Sequence, residues 1–262
     1  MNAAEILALY DREQRIEIEY PGTIKHTTPH VVRFTRPAPG MNFIQYHRLD
    51  GADIDAVIAE QVAYFSPLDQ PFTWKVFAHD GPPALAGRLV AAGFAPDGDP
   101  GVVMVLDLAA PPADLPPAAP PGVEIRRITR REQLGDVIAI MEEVWGGDFA
   151  WITQRLGDHL EIPGYLSVYA AYVDGAPACA SWIYFSPGSQ FASLWGGSTI
   201  ERFRRRGLYT ALLARRVREA TERGYRFLLI DASAMSQPIV AGHGFRELTV
   251  QVDYEWQGKA KG

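Results

Sequence analysis

Alternating and helically spaced apolar positions predict a succession of strands and helices in the second half of the chain. Two of the apolar runs flank Asp174-Gly175, a dipeptide typical of a tight β-hairpin. The predicted strands are residues 123–127, 166–173, 178–185, 191–198 and 226–231, and the predicted helices are residues 129–144 and 149–160. Thr129 and Glu132 have the spacing of a capping box for the first of these helices.

The first half of the chain also mixes the two kinds of element. Asp53 is a predicted N-cap, and residues 16–20 alternate apolar and charged side chains before a Pro-Gly turn. The predicted strands are residues 31–35, 42–46, 72–77 and 102–108, and the predicted helices are residues 3–10, 53–64 and 83–92. The whole chain is therefore predicted to belong to the α/β class.

Two segments indicate an internal repeat. Residues 89–94 end in Gly93-Phe94 before a strand, and residues 240–245 end in Gly244-Phe245 before a strand. Between the halves, residues 109–122 contain six prolines among small residues. Proline provides no backbone N–H, so this segment favours an extended spacer and marks a domain boundary.

The most informative segment is residues 194–213. An apolar strand ends at Gly196-Gly197, a loop carries arginines at 202 and 204–206, and a helix follows with Leu208 and Leu212 on its apolar face. The first turn of a helix has unpaired N–H groups and the positive end of the helix dipole, which together favour an anion such as phosphate. The alternative interpretation is a solvated basic start of a helix.

Within this loop, Arg204-x-x-Gly207-x-Tyr209 resembles the Arg/Gln-x-x-Gly-x-Gly/Ala signature of the GCN5-related N-acetyltransferase (GNAT) superfamily, with Tyr209 in place of the last small residue. Neither the Walker nor the Rossmann glycine pattern occurs. Downstream, residues 226–245 resemble the next block of the superfamily, a strand and a short helix that close on Leu-Gly-Phe, with His243 in place of the Leu.

The resemblance implies a mixed-sheet α/β GNAT acyl-CoA N-acyltransferase fold. We expect a degenerate GNAT-like domain at 1–108, a Pro-rich linker at 109–122 and a GNAT acetyltransferase domain at 123–262. The N-terminal copy lacks an Arg-rich glycine loop, so we expect that it does not hold coenzyme A.

The resemblance also implies an acetyl-CoA site made largely of main-chain groups. Amides of the loop would bind the pyrophosphate, and the strand before it would line the pantetheine arm and polarise the thioester carbonyl. The implied cofactor-binding residues are Leu194, Gly196, Gly197, Ser198, Thr199, Arg204, Arg205, Arg206, Gly207, Leu208, Tyr209, Thr210 and Ser233.

The catalytic groups are less clear from the sequence. Many GNAT relatives have an Asn and a Tyr where this chain has Ser233 and Val240, and Val240 cannot protonate a leaving thiolate. The candidates for acid and base are Tyr254, Glu143 and Asp231, with Tyr209, Glu142, Asp148 and His243 as further alternatives. Because this Tyr is missing, a second interpretation stays open, in which the protein is a non-catalytic acyl-CoA-binding regulatory module.

Composition and charge limit the remaining classes of function and partner. The chain has 262 residues, a net charge of −6 and one cysteine, Cys179, which we expect to be a buried residue rather than a nucleophile. The acidic balance disfavours nucleic acid as a partner, and no segment resembles a signal peptide or a membrane span. We therefore expect a cytoplasmic acetyltransferase without a metal, whose partners are acetyl-CoA and an amine acceptor; the sequence leaves the acceptor and the oligomeric state open.

Overall fold

The structure is a computed structural model that describes residues 1–37, 40–112, 115, 116 and 118–256. The first half of the chain contains α1 (Ala3–Tyr10), a π-helix (Asp11–Ile16), β1 (Ile24–Thr27), β2 (Val31–Thr35), β3 (Asn42–His47), α2 (Ile54–Phe65), β4 (Phe72–Phe77), α3 (Leu85–Ala91) and β5 (Ala95–Asp107). The second half contains β6 (Val123–Ile128), α4 (Gly135–Trp145), α5 (Trp151–Leu160), β7 (Leu166–Val173), β8 (Ala176–Phe185), β9 (Phe191–Thr199), α6 (Leu208–Glu222), β10 (Phe227–Ala232), α7 (Gln237–Gly242) and β11 (Arg246–Trp256).

These elements form two compact units. Of the described residues, the first unit comprises those in 1–103 and 247–256, and the second comprises those in 104–246. The predicted α/β class and mixed sheet are confirmed, since the sheets contain both parallel and antiparallel neighbours.

In the second unit the strands follow the order β10-β9-β8-β7-β6. Neighbouring strands are antiparallel except for β9 and β10, which are parallel. Apolar side chains of α4 and α5, such as Ile140 and Leu156, pack on one face of the sheet, together with Trp182. Leu208 and Leu212 of α6 pack on the other face, against Tyr169. The tight turn at Asp174-Gly175 has positive φ at both residues, which confirms the predicted hairpin.

In the first unit the order is β1-β2-β3-β4-β11, with β3 and β4 parallel. Its core includes Phe65, Trp74 and Leu89. The succession β1-β2-β3-α2-β4-α3-β5 has the same order of elements as β7-β8-β9-α6-β10-α7-β11. In both copies the short helix closes in the same way, because Phe94 N–H donates to Leu89 C=O and Phe245 N–H donates to Val240 C=O. The predicted internal repeat is therefore present in the fold.

Some predicted boundaries were wrong in detail. The helix predicted at 83–92 is limited to Leu85–Ala91, and the strand predicted at 102–108 extends over Ala95–Asp107. The predicted capping box at Thr129 is displaced, because Gln133 Oε1, rather than Glu132, accepts from the N–H groups of Thr129 and Arg130. The π-helix was not predicted, since its sequence carries no distinguishing pattern.

The end of each half of the chain lies in the unit formed mainly by the other half. β11 pairs antiparallel with β4, which places residues 247–256 in the first unit. The end of β5 lies in the second unit, where the Leu108 N–H donates to the Arg226 C=O at 2.9 Å. The units therefore divide the chain differently from the predicted domains 1–108 and 123–262, which remain a prediction about its organisation.

In the part of the chain that the structure describes, no helix is both long enough and apolar enough to cross a membrane. The predicted linker at 109–122 lies partly outside the described residues. Its described part includes Pro120, whose C=O accepts from the Val123 N–H in a turn that leads into β6.

Candidate active site

The strand β9 is interrupted by a bulge at Gly196-Gly197. Trp182 of β8 lies opposite Trp195, but Ala180 lies opposite Ser198, so two residues of β9 face one residue of β8. Gly196 has a φ of 76°, and a Cβ at this position would overlap the Trp182 ring. The sequence favoured glycines for a bulge at this point, and the strand register confirms it.

Beyond Leu194, β9 and β10 separate. Their parallel pairing runs from Phe191 opposite Phe227 to Leu194 opposite Ile230. β9 continues to Thr199 and pairs there with Cys179 of β8, whereas β10 ends at Ala232. Beyond Leu194 the two strands no longer pair with each other, and their separation suits an extended ligand between them.

The loop from β9 to α6 exposes the start of the helix. Arg205 and Gly207 both have positive φ, 60° and 75°, and Gly207 is an N-cap without a side-chain hydrogen bond to the helix. The arginines at 202 and 204–206 are exposed around it. The N–H groups of the first turn of α6 thus remain free of a competing carboxylate, in a positively charged loop that suits a diphosphate.

The corresponding helix of the first unit, α2, starts with a side-chain cap. The Asp53 side chain caps α2 by accepting from the Ala56 N–H at 3.2 Å. The carboxylate therefore already satisfies a donor at this N-terminus and adds a negative charge there. The repeat therefore keeps the order of strands and helices, but its helix start is capped by a carboxylate where that of α6 is not.

Arg216 and Tyr209 lie below the bulge on the α6 side. Arg216 is 1% exposed, and its Nη1 donates to the carbonyls of Trp182 and Trp195 at 3.4 and 3.5 Å. Its Nη2 and the hydroxyl of Tyr209 are buried and have no hydrogen-bond partner among the described residues. Burial lowers the pKa of Arg216 and raises the pKa of Tyr209. The Arg216 guanidinium thus donates to one carbonyl of β8 and to one carbonyl of β9, next to the point where the pairing of these strands is interrupted.

Tyr209 also explains why Gly197 has no side chain. A Cβ at Gly197 would lie 2.6 Å from Tyr209 Cε2, closer than van der Waals contact permits. The ring of Tyr209 therefore lies directly against the main chain of the bulge. Neither Arg216 nor this contact was predicted, although an arginine four residues after Leu212 on a buried helix face was a signal.

The structure brings most of the predicted cofactor residues to this region. Leu194 and Leu208 are buried, while Arg204 Nε donates to the Thr199 C=O at 3.2 Å. The Thr199 hydroxyl donates to Cys179 Sγ at 3.1 Å. Cys179 is buried, as we expected, and burial raises its pKa to about 11.

Two other predicted cofactor residues have side chains with partners of their own. The hydroxyl of Ser198 accepts from Trp145 Nε1 at 2.7 Å. Ser233 lies after β10, where its hydroxyl accepts from the Ser236 N–H at 3.3 Å. Thr210 lies in the first turn of α6 and is partly buried.

The three catalytic candidates are dispersed. Glu143 forms an ion pair with Arg202, and Asp231 is an exposed residue near the end of β10. Tyr254 lies on β11 in the first unit, opposite Trp74 and against the core of that unit. Val240, at the position of the family's Tyr, is fully buried. The assignment of Glu143, Asp231 or Tyr254 as acid or base remains a prediction.

One family model matches a segment of the second unit. Residues 118–231 match the family model for an acetyltransferase (GNAT) domain, which confirms the resemblance seen in the sequence. This segment includes the bulge, the arginine loop, α6 and most of β10.

Solved structures share the fold over nearly the whole chain. A GCN5-related N-acetyltransferase from Kribbella flavida has a TM-score of 0.70 at 17% identity, covering 98% of this chain and 96% of that chain. A tandem GNAT protein from the clavulanic acid biosynthesis pathway has a TM-score of 0.62 at 17% identity, covering 99% and 96%. A conserved protein from Staphylococcus epidermidis has a TM-score of 0.65 at 13% identity, covering 91% and 96%. Comparison with curated proteins gives no match.

Proposed function

We propose that the second unit is an acetyl-CoA-dependent N-acetyltransferase that transfers an acetyl group directly to an amine. The observation that carries this proposal is the combination of a glycine bulge in β9, its divergence from β10 and an uncapped α6 start within one continuous segment. The match of residues 118–231 to an acetyltransferase domain supports the same class of reaction.

The residues present fit acetyl-CoA. The N–H groups from Arg205 to Tyr209 and the charges of the arginine loop would hold the pyrophosphate, and the main chain from Leu194 to Thr199 would line the pantetheine arm. The N–H groups at the bulge would donate to the thioester carbonyl, where negative charge develops during transfer. Acetyl-CoA supplies an activated acetyl group: its C–S bond breaks as the acceptor nitrogen bonds to the carbonyl carbon, and the thiolate leaves with the electron pair.

The acceptor must lose protons, because most amines are protonated at neutral pH. We propose Glu143 or Asp231 as the proton acceptor in the second unit, directly or through water. The thiolate takes its proton from solvent, since Val240 has no proton to give. Tyr254 lies on β11 in the first unit, and its role as the acid stays a prediction.

A non-catalytic acyl-CoA-binding module is the second candidate. The apolar Val240 at the position of the family's Tyr favours it, and so does the ion pair that engages Glu143. Cofactor binding without thiol release from acetyl-CoA in the presence of a broad amine panel would favour this candidate.

The first experiment compares two glycines of positive φ at opposite ends of α6. Gly207→Glu places a carboxylate at the proposed pyrophosphate site, whereas Gly224→Glu introduces the same residue after the helix, where a Cβ has no neighbour within 4 Å. Both changes carry similar backbone strain, because φ is 75° and 78°, although a Cβ at Gly207 would lie 3.4 Å from Pro120 Cγ. The matched variant therefore separates loss of the site from loss of stability.

We expect acetyl-CoA at ~100 times its dissociation constant to stabilise the wild-type protein and Gly224→Glu by ~2.7 kcal/mol. Gly207→Glu should lose this response in thermal unfolding and in calorimetry. One site per chain is expected, because Asp53 closes the corresponding helix of the first unit. Equal binding by both variants, or no binding by the wild type at millimolar acetyl-CoA, would refute the proposed site.

A further inference from the structure

Three tryptophans of the second unit lie at its surface. A tryptophan is normally among the most buried side chains by area, so exposing several in one unit costs hydrophobic stabilisation. Trp145, Trp151 and Trp195 are 56%, 41% and 48% exposed, whereas Trp182 is 4% exposed. Both tryptophans of the first unit, Trp74 and Trp256, are buried.

Trp145 and Trp195 flank the bulge on the sheet face that packs against α4 and α5. Trp195 lies directly opposite Trp182, and opposite residues in an antiparallel pair project to the same face. Trp182 belongs to the core beneath α4 and α5. Trp145 Nε1 donates to the hydroxyl of Ser198, which follows the bulge. The Trp195 indole therefore directly precedes the glycine pair, and the Trp145 indole is hydrogen-bonded to Ser198, which follows the pair.

The hydrogen bond of Trp145 also fixes its ring. Its only polar atom is satisfied by Ser198 while more than half of the side chain stays in contact with solvent. Trp151 lies farther along the same helical connection, with the Arg155 guanidinium over its ring at 4.7 Å. The Arg155 guanidinium thus covers one face of the Trp151 ring. Trp145 and Trp195 are therefore the main exposed aromatic surfaces at the bulge.

The charge beside these rings favours a cation. The last turn of α4 contains Glu142 and Glu143 and no basic residue, so both carboxylates lie at the negative end of the helix dipole. Two carboxylates at this end of the dipole lower the stability of α4 itself. Arg202 neutralises Glu143, and Glu142 is exposed one turn before Gly146, to which its C=O is hydrogen-bonded. An ammonium group that reaches the bulge beside Trp145 would therefore be attracted by the negative end of α4.

We propose that Trp145 and Trp195 form the acceptor-binding surface for a primary amine with a flat apolar ring on a short spacer. This inference rests on the proposed acetyltransferase function. The ring stacks on the indoles on the α4–α5 face, and the spacer brings the amine nitrogen to the bulge, where the acetyl group would be held. The arginine loop that would hold the pyrophosphate follows the bulge in the chain, whereas Trp195 precedes it, and Arg202 of this loop is paired with Glu143 of α4.

The test compares 2-phenylethylamine with 2-cyclohexylethylamine and with the small polar amine 2-methoxyethylamine. Release of the CoA thiol gives kcat/KM for each amine, and calorimetry gives the affinity for acetyl-CoA separately. Quenching of tryptophan fluorescence by 2-phenylethylamine, measured without acetyl-CoA, reports amine binding in the absence of turnover.

Because stacking on an indole favours an aromatic ring over a saturated one, we expect kcat/KM for 2-phenylethylamine to exceed that for 2-cyclohexylethylamine by about two- to tenfold, and that for 2-methoxyethylamine by more. Trp145→Ala and Trp195→Ala should each remove most of this preference, mainly through KM, while acetyl-CoA still binds. Trp145→Phe loses the hydrogen bond to Ser198 but keeps an aromatic ring, so it should retain most of the preference.

Equal kcat/KM values for the three amines would overturn the proposal, as would a preference that survives both alanine variants. A Trp145→Phe variant as impaired as Trp145→Ala would also overturn it, because the hydrogen bond rather than the ring would then be responsible. If acetyl-CoA does not bind, the proposed function fails, but saturable fluorescence quenching that is lost in Trp195→Ala would still support the aromatic amine surface. Absence of quenching as well would refute both.

Discussion

The buried His47 of the first unit leads to a quantitative prediction about pH. Its Nδ1 accepts from Trp74 Nε1 at 3.2 Å, so the neutral ring must carry its proton on Nε2, which lies 3.5 Å from Asp80 Oδ2. Burial lowers the pKa of His47 to about 4, although Asp80 raises it in part. Protonation at Nδ1 would break the bond to Trp74 and place a second buried cation near Arg15.

The sign of the effect follows from proton linkage. The unfolded chain has a histidine pKa of about 6.5, so below that pH the unfolded state binds more protons than the folded state. The contribution of His47 is fully present above pH ~6.5 and is lost as the pH falls toward the folded pKa of about 4. The free energy of unfolding should decrease by up to ~1.4 kcal/mol per pH unit and by ~3 kcal/mol in total.

Urea unfolding of the wild-type protein and of His47→Gln between pH 7.5 and 4 measures this contribution. Glutamine does not titrate, and its amide oxygen can accept from Trp74 as the imidazole does. Carboxylates remote from His47 titrate in both proteins and cancel in the difference, whereas Asp80 and Asp11, whose charges raise the pKa of His47, contribute to the measured effect. If the two proteins lose stability in parallel across this range, or if NMR titration finds a His47 pKa near 6.5, the reasoning is wrong.

Two further predictions concern single contacts. Gly197→Ala should destabilise the protein by about 1–3 kcal/mol through overlap with Tyr209, and the same change should cost far less in a Tyr209→Ala background; additive effects in thermal unfolding would contradict the contact. Asp80→Ala leaves the buried Arg15 guanidinium without its bidentate partner at 2.9 and 2.7 Å, and we expect a loss of ~3–5 kcal/mol in urea unfolding. Asp55→Ala, which breaks an exposed ion pair with Arg88, is the control and should cost much less; equal losses would refute the role of burial.

Local patterns predicted most of the secondary structure because they depend on neighbours within a few residues. The hairpin at Asp174-Gly175, the N-cap Asp53 and the bulge at Gly196-Gly197 were all recognised from such patterns. The arginine loop was recognised in the same way, because the features that favour an anion at the start of a helix lie in consecutive residues. The assignment of acid and base stays a prediction, because local patterns do not show which distant side chains meet.

The sequence by itself determined the class of fold, the repeat of strands and helices, and the loop that resembles an acetyl-CoA site. Only the tertiary structure decided that β11 pairs with β4 and that Arg216 lies beneath the bulge. It also decided that Trp145 and Trp195 are exposed on either side of the bulge rather than buried in the core. The physical reason is range: periodicity and turn chemistry act within a segment, whereas strand partners, burial and the meeting of side chains depend on contacts between residues far apart in the chain.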